Sequence, residues 1–311
     1  MNQSKKHIVN SITFILLFVS AIGNAQNWQW ALSCGKSIGE DYGTIAADKS
    51  GNIYLAGSFQ GIGIFGNDTL VSTGWGGPFV PVMFGKIDPS GSFQWVKGIT
   101  GTGQPVAYTH VSVNQNSDII YLYGGFNGDV NIGGYSFHST NANMFLSAYN
   151  STGNCLWVKK AGGTKGATGV SAACTDPGGN FYITGITSDS AYFDSIMVHS
   201  GNYLAKYNSD GKCLWARNIC SDFYVTGIAA NGSRIILDGQ AIYYGMPPFY
   251  FDSFLLDPTE SMLVMASLDT DGNTQWAKIE GKGVYDMTRN VGIDNNFWRF
   301  SGHGCFTSNE C

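Results

Sequence analysis

Hydrophobic and polar positions along this chain alternate in short runs, and the runs come back. Residues 45–59 read IAADKSGNIYLAGSF: an apolar strand, an Asx/Gly turn, then an aromatic strand ending in glycine, the pattern of an antiparallel hairpin. Versions of it return at residues 111–126, 171–185, 228–239 and 291–302. A middle segment follows the first four, at residues 64–74, 130–140, 192–201 and 250–257, and predicts one further strand in each. A strand and an Asx-rich turn then run into a tryptophan at Trp95, Trp157, Trp215 and Trp276, with Trp30 starting the register. No stretch carries a 3.6-residue apolar period, so helices should be few.

The tryptophans recur about every 60 residues, longer than common helical or leucine-rich repeats and suited to a four-stranded blade with generous loops. The expectation is an all-β β-propeller in residues 26–311, with blades at about 30–95, 95–157, 157–215 and 215–276 and a partial fifth at 276–311. The tryptophans would fill the wedge between neighbouring blades. Gly51, Gly91, Gly153, Gly211 and Gly272 would let the turns form. A chain that stops at Cys311, within its fifth unit, predicts an incomplete ring with an exposed sheet edge. That points to a truncated reading frame, with self-association through the open edge as the alternative.

The same residues resemble a known family. Asp48, Gly51, Asn52, Tyr54, Gly57, Phe59, Lys86, Asp88, Gly91 and Trp95 follow the SBBP-type β-propeller repeat pattern. So do Asp176, Gly179, Asn180, Tyr182, Gly185, Lys206, Gly211 and Trp215 in the third unit. The second and fourth units depart from it, with Ala148-Tyr149-Asn150 and Ser267-Leu268-Asp269 where the pattern has Lys-x-Asp, so no shared lysine role follows. The resemblance implies a secreted protein of Bacteroidetes type and export by the type IX route, here without that route's C-terminal sorting domain.

Composition agrees with a folded β protein: 43% hydrophobic, 14% aromatic and 13% charged, with 42 Gly against 8 Pro. Residues 1–25 read as a secretory signal, with Lys5 and Lys6 ahead of an apolar run and a Gly23-Asn24-Ala25 cleavage site before Gln26. The run is short for a bilayer span. The formal net charge is −5, and loss of that leader makes the remainder more acidic still, which disfavours nucleic acid and anionic membrane as partners. Among the 7 cysteines there is no C-x-x-C pair, and Cys155 and Cys213 share one repeat position as apolar core substitutes.

Motif matches reduce to turns and strands. Asp269-Thr270-Asp271-Gly272-Asn273 imitates a calcium loop but has Thr274 where the loop needs glycine, so no cofactor is expected, calcium between turn aspartates being the minor alternative. Gly61, Gly63 and Gly66 match a dinucleotide fingerprint without the helix it requires. Glu40, Glu260, Glu280 and Glu310 are scattered, and His110, His138, His199 and His303 show no ligand spacing. Trp75, Tyr243, Tyr244, Phe249 and Tyr250, beside Gly and Pro in irregular segments, are the candidate ligand-contacting aromatics. The expected function is an exported, non-enzymatic binding or scaffold module, secreted or at the cell surface, with a protein or glycan partner. The alternative is an extracellular carbohydrate-active hydrolase or lyase with carboxylates at the propeller centre.

Overall fold

The computed structural model describes residues 30–32, 40–59, 61–71, 82–101, 104–105, 109–220, 223–241, 247–257, 263–280, 287–293 and 298–303. Of two compact units, Met1–Ala31 and Leu32–Cys311, the first contributes a half-buried Trp30 and an exposed Ala31, and the second holds the strands found among the described residues. No helix occurs among the described residues.

In the first repeat β1 (Glu40–Ala47), β2 (Ile53–Phe59), β3 (Ile62–Phe65), β4 (Asp68–Val71), β5 (Val82–Ile87) and β6 (Phe93–Gly101) follow in turn. Strands β1, β2, β5 and β6 pair in that order as an antiparallel meander, while β3 and β4 form a separate hairpin. The second repeat has β7 (Gln104–Pro105), β8 (His110–Val113), β9 (Ile120–Ile132), β10 (Tyr135–Tyr149) and β11 (Cys155–Ala161). There β8, β9, β10 and β11 make the blade, and the far ends of β9 and β10 make the side hairpin. The third has β12 (Thr168–Thr175), β13 (Phe181–Thr187), β14 (Ala191–Phe193), β15 (Ile196–Val198), β16 (Gly201–Tyr207) and β17 (Cys213–Asn218). The fourth has β18 (Phe223–Ala230), β19 (Arg234–Ala241), β20 (Phe249–Phe251), β21 (Phe254–Leu256), β22 (Leu263–Asp269) and β23 (Thr274–Glu280). Both repeat the four-plus-two plan. A final hairpin joins β24 (Met287–Ile293) and β25 (Trp298–His303).

The first strands β1, β8, β12, β18 and β24 lie against one another in succession, so they are the inner strands of propeller blades. Among the described residues the blades do not close into a ring. Each middle blade is covered on both faces, which is why its strands read as continuous apolar runs. In β9, Ile120 and Leu122 pack with Tyr54 and Phe84 of the preceding blade, while Tyr121 and Tyr123 pack with Phe181 and Ile183 of the next. Side chains buried this fully contribute about 1.5–3 kcal/mol each. Where inner strands converge, bulges press their backbone onto the second strand of the blade. A Cβ on Gly185 would lie 2.0 Å from the Gly169 carbonyl oxygen, and one on Gly239 would lie 2.0 Å from that of Tyr224, so only glycine fits.

Two expectations need correction. The middle segments are hairpins, not single strands, turning at Gly66-Asn67, Gly133-Gly134, Asp194-Ser195 and Asp252-Ser253. Such two-residue loops are hairpin signals in their own right. The fourth strand of each blade is instead the one that carries the tryptophan as its third residue, in β6, β11, β17 and β23.

Those tryptophans join the blades. The residue just before each one, Gln94, Leu156, Leu214 or Gln275, is an unpaired bulge. The Trp95, Trp157 and Trp215 indole N–H groups donate to the carbonyls of Ser151, Ser209 and Thr270 in the next blade's outer turn, at 3.2, 2.8 and 3.2 Å. The glycines of those turns, Gly153, Gly211 and Gly272, have φ of +80°, +79° and +84° and lie on the indole rings. Side chains there would be strained by the backbone and blocked by the ring.

Trp157→Phe should lower unfolding free energy by about 1 kcal/mol through the lost hydrogen bond, and Trp157→Ala by about 3 kcal/mol or more. Gly211→Ala, whose Cβ would fall 2.6 Å from the Trp157 ring, should lose about 2 kcal/mol or more. Gly169→Ala, with nothing within 4 Å of its Cβ, should leave the urea midpoint unchanged. Equal midpoints for the two glycine variants would refute the packing role of Gly211.

Candidate functional site

In an antiparallel meander the first and third turns fall at one end of the blade and the second at the other. One end of this propeller is therefore a field of Asx turns, and the opposite end carries the side hairpins.

At the Asx end, local chemistry satisfies itself. Asp48 Oδ1 accepts the Ser50 and Asn52 backbone N–H groups at 2.9 Å, and Asp48 Oδ2 accepts from the Asn52 amide and the Tyr54 hydroxyl. Asp88, Asn150, Asp176, Asn208 and Asp269 repeat the backbone part of this arrangement. Inner turns are also tied to one another: Asn114 and Asn116 donate side-chain N–H groups to the Asp176 and Pro177 carbonyls, and Lys49 donates to Asn116. Asp269, the first residue of the calcium-loop look-alike, accepts from Asp271, Asn273 and Gln275. Among the described residues no group of three or more His, Cys, Asp or Glu is placed to hold a metal ion.

The opposite end is more individual. Each side hairpin buries one face and turns the other outward. In the third blade Ala191, Phe193 and Val198 face in, and the cross-strand pair Tyr192 and Met197 face out. In the fourth, Phe249, Phe251 and Leu256 face in, and Tyr250 and Leu255 face out, 62% and 58% exposed. The equivalent outward pair is Ile64 and Thr69 in the first blade, with Ile62 and Val71 also outward beyond it, and Asn131 hydrogen-bonded to Ser136 in the second. Of the aromatic candidates, Phe249 is a core residue and Tyr250 is exposed. Trp75, Tyr243 and Tyr244 lie outside the described residues.

Beside the third and fourth hairpins lies a second contact between blades that the sequence reading passed over. Arg217, two residues after Trp215, reaches Asp252 in the next blade's hairpin turn at 3.0 Å and the Gly272 carbonyl. Lys159, two residues after Trp157, reaches Asp194 at 3.1 Å in the same way. Asp194 and Asp252 sit at φ +53° and +51°, a conformation aspartate tolerates. Asp194 also accepts the Cys213 backbone N–H, and Asp252 accepts the Thr274 hydroxyl. Around Arg217, Asp252, Ser253, Asn273 and Thr274 an open cleft of about 430 Å³ forms between the blades. The readable signal was Trp-x-Lys/Arg, present at Lys97, Lys159, Arg217 and Lys278.

A shared lysine role exists after all, in alternate blades. Lys86 and Lys206 lie over the Tyr54 and Tyr182 rings and donate to the Ser151 and Thr270 carbonyls that also receive Trp95 and Trp215. Cys213 is a core residue and Cys155 packs against the core; their thiols donate to the Trp215 and Trp157 carbonyls. Burial, then the charge of Asp194, pushes the Cys213 thiol up to about 12, so it is no nucleophile at neutral pH. His110 stacks on Tyr123, and burial lowers its pKa. On inner strands β1, β8, β12 and β18, no carboxylate occurs among residues with described side chains.

No model of a known protein family matches this chain, and no curated protein matches it. Among solved structures, the Neurospora crassa Pan2 WD40 domain matches over 80% of this chain and 68% of that chain, with TM-score 0.39 and 9% sequence identity. A likeness that slight adds nothing to the blade geometry, which carries the fold.

Hydrogen bonding within their turns leaves Asp88 and Asp269 with lowered pKa values. The Ser90 hydroxyl and the Ser92 and Ser90 backbone N–H groups hold Asp88 below the usual 3.8. For Asp269, burial alone would raise the pKa, but hydrogen bonds from Asn273 and Asp271 outweigh it and the net shift is downward. A carboxylate depressed in the folded state adds stability that is full above pH 3.8 and lost as pH falls through the lower folded value. Asn150 and Asn208 show that asparagine serves the same turn. The double variant Asp88→Asn/Asp269→Asn should therefore keep the fold, and its stability should fall less steeply below pH 3.8 in acid titrations followed by tryptophan fluorescence. An unchanged slope would show that these turns contribute nothing to acid sensitivity.

Proposed function

We propose that this chain is an exported, non-enzymatic β-propeller of the SBBP repeat type, acting as a binding or scaffold module at the cell surface or outside the cell. One observation carries the reading. A framework repeated nearly unchanged, with Trp95, Trp157 and Trp215 bound to equivalent turns, holds out side hairpins whose outward residues differ from blade to blade. Invariant support and variable display is the division of labour of a binding scaffold.

The leader pattern at residues 1–25 supports export, and the repeat residues of the first and third units support the family reading, including the Bacteroidetes-type secretion it implies. Partners in keeping with the acidic chain and the exposed hairpins are a protein or a glycan.

Expressed with its leader in a Gram-negative host, the chain should be recovered outside the cytoplasm with Gln26 as its first residue, read by N-terminal sequencing. Purified protein incubated with polysaccharides should release no new reducing ends. Recovery of an intact Met1 terminus would remove the export half of the reading, and release proportional to protein concentration would remove the non-enzymatic half.

A further inference from the structure

We infer that the cleft beside Asp252 is a binding site for neutral saccharide units of a polymer. This rests on the binding-module reading above and gives its partner a chemistry.

The argument begins with a repeated tetrapeptide. Tyr192-Phe193-Asp194-Ser195 and Tyr250-Phe251-Asp252-Ser253 occupy the same hairpin of successive blades. In each the phenylalanine is buried and the tyrosine is turned to solvent. The aspartate is held from the preceding blade by a cation, Lys159 or Arg217. Core packing accounts for the phenylalanine and the blade junction accounts for the aspartate. Neither accounts for a tyrosine 51% or 62% exposed at the same place twice.

Charge then narrows the ligand. Arg217 and Asp252 neutralise each other, so the cleft offers no net charge to an anion, and the whole chain is acidic. The remaining walls of the Arg217 cleft are neutral hydrogen-bonding groups, Ser253, Asn273 and Thr274. Arg217 engages Gly272 and Asp252 with two of the five N–H donors of a guanidinium, and hydroxyl and amide groups beside it act as acceptors. Donors and acceptors side by side without net charge suit vicinal hydroxyl groups. Tyr250, exposed on the strand that leads into the Asp252 turn, would offer a flat apolar surface to the C–H face of a sugar ring held in the cleft. At about 430 Å³ the cleft falls within the range of small-ligand sites.

The test is native affinity electrophoresis of the full chain through gels containing amylose, mixed-linkage β-glucan, mannan or xylan, with alginate as an anionic comparison. Retardation is expected in at least one neutral polymer. Tyr250→Ala and Ser253→Trp should each weaken it about tenfold, and Tyr192→Ala, on the preceding blade, should leave it unchanged. These exposed positions should leave the urea midpoint at the parent value. The proposal is overturned by no retardation in any neutral polymer, by retardation in alginate alone, or by retardation that Tyr250→Ala does not change. Each of those results leaves export and chemical inertness to their own tests, so failure of the saccharide site is separable from failure of the scaffold reading.

Discussion

The structure depends on the seating of one indole ring on the turn of the following blade. At Trp95, Trp157 and Trp215 the ring covers a glycine with positive φ while its N–H binds a carbonyl of the same turn. That contact sets other requirements of the repeat. The residue before Trp must bulge so that the ring faces the neighbour, and the turn must carry Asp or Asn to hold its own backbone N–H groups. A blade buried on both faces has no stable existence alone, so stability accumulates from one neighbour contact to the next.

The two ends of the blades differ because this framework uses them differently. At the Asx end the polar groups are largely turned upon one another, Asp48 binding Asn52 and Tyr54, Asn114 and Asn116 binding the next blade. The hairpin end meets only half of its needs internally. One face of each hairpin completes the core while the other is free to vary, polar at Asn131 and Ser136, aliphatic at Ile62 and Val71, aromatic at Tyr192 and Tyr250. The cations Lys159 and Arg217 fix the third and fourth hairpins to the preceding blades, which gives rigidity to the surface that varies.

Much of the blade was legible in the chain. The Asx/Gly turns, the apolar strands and the Trp register all follow from local rules, since a turn residue with positive φ or a side chain that caps its own backbone acts within a few positions. The middle segments were misread because their buried faces, such as Phe193 with Val198, look like part of one strand unless the two-residue loop is recognised. Phe249 and Tyr250 could not be told apart as loop aromatics, because which of two adjacent rings points into the core depends on the blade beneath. Lys206 and Arg217 stand in plain sequence, yet their partners at Thr270 and Asp252 belong to the next repeat.

By itself, the sequence determined an all-β tandem array, its unit length, the turns and the position of the tryptophan, because each is written in residues close together along the chain. The tertiary structure decided what the tryptophan touches, which glycines are kept bare by a neighbour's ring or carbonyl, and that Arg217, Asp252 and Asn273 share one cleft. Those contacts join residues from different blades, and only the stacking of one blade on the next brings them within reach.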